Sequence, residues 1–264
     1  MIISNVNTIA SQRRGATTTP FDPLVDLAGK LPFWYQQKIT NDGATVSIWV
    51  DESGNSNHAI QSIGTKQPEY LENVVGTYEG LGSDGVDDFM TVGDPLQAEH
   101  RDDFAYMFAL RLNDGQPAVP STICGKRTSP SNNIGFRFNT YGKLIFFLTY
   151  NGDGAQVTSN DAFANGQSDW MVLTAFANFT AGTLTLRKNN VEMDNDGVSV
   201  GDASGITPSS YTSVLPLYLF ARNNAATADL FADVDMVEGG MIATPTESQI
   251  SRCEQYLMTK YSIS

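Results

Sequence analysis

The chain has 264 residues, 41% of them hydrophobic, and a formal net charge of −13 at pH 7. That length and apolar content suffice for one sizeable core, since all-β sandwiches often run this long as a single unit. The charge argues against a nucleic-acid partner, because such a field repels phosphate backbones, and no run approaches the ~18 apolar residues that membrane insertion by a helix needs.

Residues 1–20 read as an extended N-terminal arm, polar and Thr-rich, ending at Pro20. Arg13 and Arg14 make this arm +2 and leave −15 for the remainder. Both arginines follow the mildly apolar start rather than precede it, so no signal peptide is read. Fully extended, the arm reaches up to about 60 Å, further than the radius of the domain. We expect it to cross to a neighbouring subunit, with Ile2, Ile3, Val6 and Ile9 as apolar anchors and Arg13 and Arg14 meeting acids there.

Residues 21–264 read as one β-sandwich. The clearest strand is Asp103–Leu112, where Phe104, Tyr106, Phe108, Leu110 and Leu112 alternate with Ala105, Met107, Ala109 and Arg111. Lys143–Tyr150 alternates two apolar sets, so both of its faces are expected to be covered. Trp170–Phe179, Thr183–Lys188 and Val191–Asp194 follow, with Asn189-Asn190 as a two-residue hairpin turn. Leu215–Ala221 and Leu230–Glu238 complete the set. Strands and turns without interleaved helices predict an antiparallel sandwich rather than a parallel nucleotide-binding sheet. One helix is signalled at about 245–260: Thr244-Pro245-Thr246-Glu247 reads as a capping box, and Ile250, Cys253, Leu257 and Tyr261 form an apolar stripe. Cys124 and Cys253 are expected as two separate buried thiols.

Three stretches carry a resemblance: Ile48-Trp49-Val50-Asp51-Glu52-Ser53-Gly54-Asn55-Ser56-Asn57-His58-Ala59, then Ser83-Asp84-Gly85-Val86-Asp87-Asp88-Phe89-Met90, and finally Phe231–Glu238 with the capped helix ending Tyr256-Leu257-Met258-Thr259-Lys260-Tyr261. In this order they resemble the concanavalin A-like, laminin-G-like jelly-roll domains of bacteriophage virion proteins and bacterial surface proteins. The resemblance spans roughly residues 30–262. Ser83 stands where the family has Phe, which predicts a less buried strand. Gly239-Gly240 replaces apolar residues, which predicts a bulge or a close backbone approach.

The resemblance implies an all-β, antiparallel jelly-roll β-sandwich with one C-terminal α-helix. It implies a structural or attachment protein of a bacteriophage virion, a capsid decoration protein or a head- or tail-fibre component, made in the host cytoplasm and released by lysis. Its partners would be other virion proteins such as the major capsid protein or tail subunits, with a homo-oligomer as a further option. The alternative is a lectin-like module for host cell-surface glycans, and a polysaccharide hydrolase comes third.

The residues argue against an enzyme. Glucanases of this fold use a strand motif E-x-D-x-x-E, and none occurs here. Asp233 and Asp235 share a strand face and read as a solvent-facing acidic row on an outer strand. His58 is expected to hydrogen-bond its own loop, and His100 lies in an acidic loop; no G-x-S-x-G elbow supports a triad. No cofactor is implied except calcium. Asp84, Asp87 and Asp88 form one acidic knot. Asp194 and Asp196 belong to Glu192-x-Asp194-x-Asp196-Gly197, the start of an EF-hand-like loop whose twelfth position is Ala203 rather than Glu. Turn chemistry accounts for both groups without an ion. For glycan binding, Trp34, Tyr35 and Tyr141 are the foremost candidates, with Tyr78 and Tyr211 beside them, although aromatics in such turn-rich segments more often cover the bases of loops.

Overall fold

The computed structural model describes residues 20–94, 102–129, 132–150, 153–196 and 215–264. Of the expected arm only Pro20 falls within them; Ile2, Ile3, Val6, Ile9, Arg13 and Arg14 lie outside, as do His100 and Tyr211. In chain order the first strands are β1 (Phe33–Asn41), β2 (Val46–Asp51), β3 (Ala59–Ile60), β4 (Glu69–Val75), β5 (Tyr78–Asp84), β6 (Met90–Val92), β7 (Phe104–Leu112), β8 (Ser121–Ser129) and β9 (Asn132–Phe138). Next come β10 (Lys143–Tyr150), β11 (Asp153–Ala162), β12 (Met171–Asn178), β13 (Thr183–Lys188), β14 (Val191–Glu192), β15 (Leu217–Leu219), β16 (Arg222–Asn224), β17 (Thr227–Asp229) and β18 (Asp233–Ala243). A four-residue turn of helix, α1 (Pro23–Asp26), precedes them, and the long helix α2 (Glu247–Lys260) closes the chain.

The pairings trace two layers. One sheet runs β4–β5–β18–β7–β12–β13–β14. The other runs β1–β2–β3–β6–β15–β8–β9–β10–β11, with β16 beside β8 and β17 paired to β16. Strand β1 belongs to both, since Phe33–Tyr35 also pair with Met241–Gly239 of β18. Every pairing is antiparallel except that of β16 with β8. The architecture is thus an antiparallel β-sandwich.

Period-two alternation explains the layers. On β7, Phe104, Tyr106, Phe108, Leu110 and Leu112 face the interior, joined by Phe146 and Leu148 of β10, Leu173 of β12, and Leu217 and Leu219 of β15. The other face of β7 is not open. Ala105, Met107 and Ala109 lie under α2, packed with Ile250, Cys253, Leu257 and Tyr261. Small residues on that side let the helix settle on the sheet. Both faces of β10 are covered as expected, with Ile145 and Phe147 buried opposite the core set. Asn189 and Asn190 adopt left-handed φ of 49° and 63°, the backbone that a tight hairpin turn requires.

The structure corrects several expectations. The helix is capped by Thr246, not Thr244: the Gln249 amide donates to Thr246 Oγ1 at 3.2 Å and the Thr246 amide to Gln249 Oε1 at 3.0 Å. Thr244 turns left-handed at φ 44° and so stands outside the helix. Strand β18 runs past Glu238 to Ala243 and lies between β5 and β7, so it is central rather than an outer strand. Its Asp235 is buried, with Arg111 Nη2 2.6 Å away and Asn113 Nδ2 at 2.9 Å, and not a member of a solvated row. Ser83 is buried as well, because its hydroxyl donates to the Ala232 carbonyl at 2.6 Å. The two glycines mark a close backbone approach, while the bulge falls just before them, at Val237. The register slips between Met236 and Glu238, and a side chain on Gly240 would meet the Phe33 carbonyl and the Trp34 ring.

Candidate functional site

The turn after β2 is built on one carboxylate. Asp51 Oδ1 accepts from the amides of Trp34 and Ser53, both at 2.9 Å. Its Oδ2 accepts from Ser53 Oγ and the Asn57 amide, again at 2.9 Å. The Asp51 amide in turn donates to His58 Nδ1 at 3.0 Å. The imidazole therefore bonds its own loop, as expected, and keeps Nε2–H as its donor. Tyr35 supports the same loop from beneath: it is fully buried, stacks on Trp49 at 5.1 Å, and donates its hydroxyl to the Asn57 carbonyl at 2.7 Å.

This loop forms one wall of a groove of about 490 Å³ on the outer face of the β3–β6–β15 region. Ala59, Val92, Leu217 and Leu219 point into the core, so the alternate residues Ile60, Thr91 and Tyr218 line up outside, paired Ile60 to Thr91 and Thr91 to Tyr218. Tyr218 sits buried at the floor, where burial raises its pKa, and its ring lies 4.7 Å from that of Phe89. The Gln61 carboxamide donates to the Phe89 carbonyl at 3.1 Å and so ties that wall to the loop. The lining is aromatic rings, hydroxyls, carboxamides and an imidazole, without a carboxylate. Such a surface can cover a sugar face and bond its hydroxyls; its lining holds no pair of carboxylates.

The aromatic residues singled out in the sequence do not form this site. Trp34 is fully buried under α2, its Nε1 donating to Glu238 Oε1 at 2.9 Å. Tyr35 belongs to the core, and neither ring is open to a ligand. Tyr141 is 74% exposed, on the β9–β10 turn, and does not line the groove. Phe89, Thr91, Gln61 and Tyr218 were missed. Phe89 lay in plain view beside Asp88, whereas Tyr218 carried no signal until its strand was placed.

Of the calcium candidates, Asp84 and Asp87 do converge with Asp88, each offering an oxygen within 4.8 Å of the others. Asp84 Oδ1 already accepts from the amides of Val86 and Asp87, and Asp88 Oδ2 from that of Asp84. Burial, and then the charge of Asp84, push the Asp88 pKa up to about 7. These three are the described residues that could hold a calcium ion, and turn bonds use part of their capacity. Asp194 and Asp196 are not part of such a group. Asp194 accepts from Asn160 Nδ2 and Asp196 from the Thr158 amide, both at 3.0 Å, which fastens this segment along β11. Asp194 instead borders a smaller pocket of about 310 Å³, together with Asp161, Glu192, Phe163 and Lys188. Among the described residues no helix is long and apolar enough to cross a membrane.

No family model matches the chain, and no curated protein does. Solved structures do. The chain is similar to a botulinum neurotoxin type C structure described by its interaction with two ganglioside molecules (14% identity, TM-score 0.59, 88% of this chain and 52% of that one). It is similar to the binding domain of botulinum neurotoxin DC in complex with SialylT (13% identity, TM-score 0.55, 87% and 52%). It is also similar to Trypanosoma rangeli sialidase (11% identity, TM-score 0.55, 88% and 33%). The chain spans about half the length of the neurotoxin chains it matches. At these identities the likeness is one of fold, and that fold is the β-rich, jelly-roll-like sandwich read from the sequence.

Proposed function

We infer that the chain is a non-enzymatic, lectin-like module that holds a cell-surface glycan in the groove between His58, Phe89 and Tyr218. The observation that carries this reading is the lining: two rings 4.7 Å apart, ringed by uncharged hydrogen-bonding groups and free of carboxylates. Fold neighbours described as binding gangliosides or SialylT support it by analogy of architecture alone. A glycan array probed with the full chain tests it. Retention of defined glycans that Phe89→Ala and His58→Ala abolish is the expected result. A blank array, or retention untouched by both variants, overturns it.

A second reading is favoured by the motif resemblance: the module is a component of a bacteriophage virion, attached to capsid or tail subunits through residues 1–20. Immunogold labelling of purified particles tests location. Removal of residues 2–19 tests attachment, and normal occupancy of the shortened chain on particles would sink the arm as anchor. The two readings are compatible, since a glycan-binding module can be carried on a particle.

A further inference from the structure

The outer row that starts in the groove continues across the sheet. Tyr218 pairs with Gly125, Gly125 with Gly135, and Gly135 with Phe147. A side chain on Gly135 would strike the Phe147 ring, so that ring leans across β9. The Arg137 guanidinium stacks over it, 4.6 Å from the centroid. Arg137 stands two residues from Gly135 in one direction, and the cross-strand pair Arg127–Asn133 stands two residues away in the other. By period two, Arg127, Asn133 and Arg137 share the face of the glycines, since Ile134, Phe136 and Phe138 point into the core.

These three side chains have unmet capacity. Arg127 Nε, Arg137 Nε and Asn133 Oδ1 are buried and have no hydrogen-bond partner among the described residues. Buried polar atoms are seldom left so, because losing water without a replacement bond is costly. Elsewhere the chain answers its buried cations with acids: Arg187 with Glu254, Arg222 with Asp229, Lys126 with Asp94. Neither Arg127 nor Arg137 has a carboxylate within 4 Å among the described residues. Burial, and then the charge of Arg222, lower the pKa of Arg137, so its charged form gains from a counter-anion.

We propose that Arg137 on one side of the glycine row, and Arg127 with Asn133 on the other, provide two anion contacts beside the groove, and that the ligand is an acidic glycan. This rests on the glycan reading of the groove. The sugar would lie over Phe89 and Tyr218, its anionic group would meet the forked guanidinium donors, and a hydroxyl would donate to Asn133 Oδ1. Strand spacing of about 4.8 Å and a rise of about 3.4 Å per residue put the Arg127 and Arg137 backbones about 8 and 12 Å from that of Tyr218, within reach of a short oligosaccharide. A guanidinium fork fits a carboxylate or a sulfate in two-pronged fashion, and an ammonium does not.

An array carrying each glycan core in neutral, carboxylated and sulfated forms decides the matter. It would be probed with the full chain and with Arg127→Gln, Arg137→Gln and Arg137→Lys, each first shown to melt with the parent. The expected result is roughly tenfold or greater preference for one acidic form, lost in both Gln variants and reduced in the Lys variant. The carboxylated and sulfated arms tell the two anions apart. Equal retention of neutral and acidic forms, or a preference indifferent to all three variants, overturns the anion subsite and leaves the glycan reading standing. A blank array overturns both.

Discussion

Arg187 on β13 and Glu254 on α2 meet in a buried, two-pronged ion pair that fastens the helix to the sheet. Arg187 Nε lies 3.1 and 3.0 Å from the two carboxylate oxygens, and Nη2 lies 2.9 Å from Oε2. Removing one partner strands a charge that has lost its water. Glu254→Gln should therefore cost about 3–5 kcal/mol of unfolding free energy in a urea titration, while a double replacement by Met and Leu should recover most of it. A Glu254→Gln loss below ~1 kcal/mol would mean that the pair adds little to helix docking.

Phe108 lies at the centre of the sandwich, fully buried and stacked 6.5 Å from Tyr106. Phe108→Ala should destabilise by ~3–5 kcal/mol, the usual cost of a large cavity in a close-packed interior. Chemical denaturation with an unchanged slope would confirm that only stability moved.

Gly240 is squeezed between β1 and the rest of β18. A methyl there would sit 2.8 Å from Trp34 Cε3 and press on the Phe33 backbone, which cannot give way as a flexible side chain can. Gly240→Ala should cost ~1–3 kcal/mol, whereas Gly166→Ala, with nothing within 4 Å of the added carbon, should spare these contacts and act only through its φ of 86°. A melting temperature unchanged by Gly240→Ala would show that β1 can shift.

Asp88 gives stability a pH dependence of definite sign. Its pKa is raised from the ordinary 3.8 to about 7, so between those values the folded protein holds a proton that the unfolded chain has released. Stability from this group therefore falls as pH rises through that window, and the full penalty is felt above it. Asp88→Asn should raise the melting temperature more at pH 8 than at pH 5. An equal gain at both, or none, would refute the assignment.

The layers and the groove differ in how far they could be read from the residues. Strand β7 declares itself because aromatic and small residues alternate along its length. What that pattern could not tell was that Ala105 and Met107 lie under a helix rather than in water. Trp34 and Tyr35 stand near turn residues, which left them open both to a ligand and to a packing role, and the structure gives them the packing role. Yet Leu31-Pro32-Phe33-Trp34-Tyr35 is an unbroken apolar run, the mark of a strand covered on both faces, and the first three residues of β1 are so covered. The arginine subsite was invisible for a different reason. Ser121–Ser129 shows no alternation, and only its hairpin pairing with Asn132–Phe138 puts Arg127 and Arg137 on one surface.

The placement of α2 gives the molecule a back and a front. The helix lies on the outer side of the β7–β12 layer, and it is there that the chain enters, with Phe21 against the Arg252 guanidinium at 4.4 Å. The groove and the two arginines lie on the outer side of the opposite layer. On the proposed reading, a tether at Pro20 would thus leave from the side of the sandwich opposite the groove.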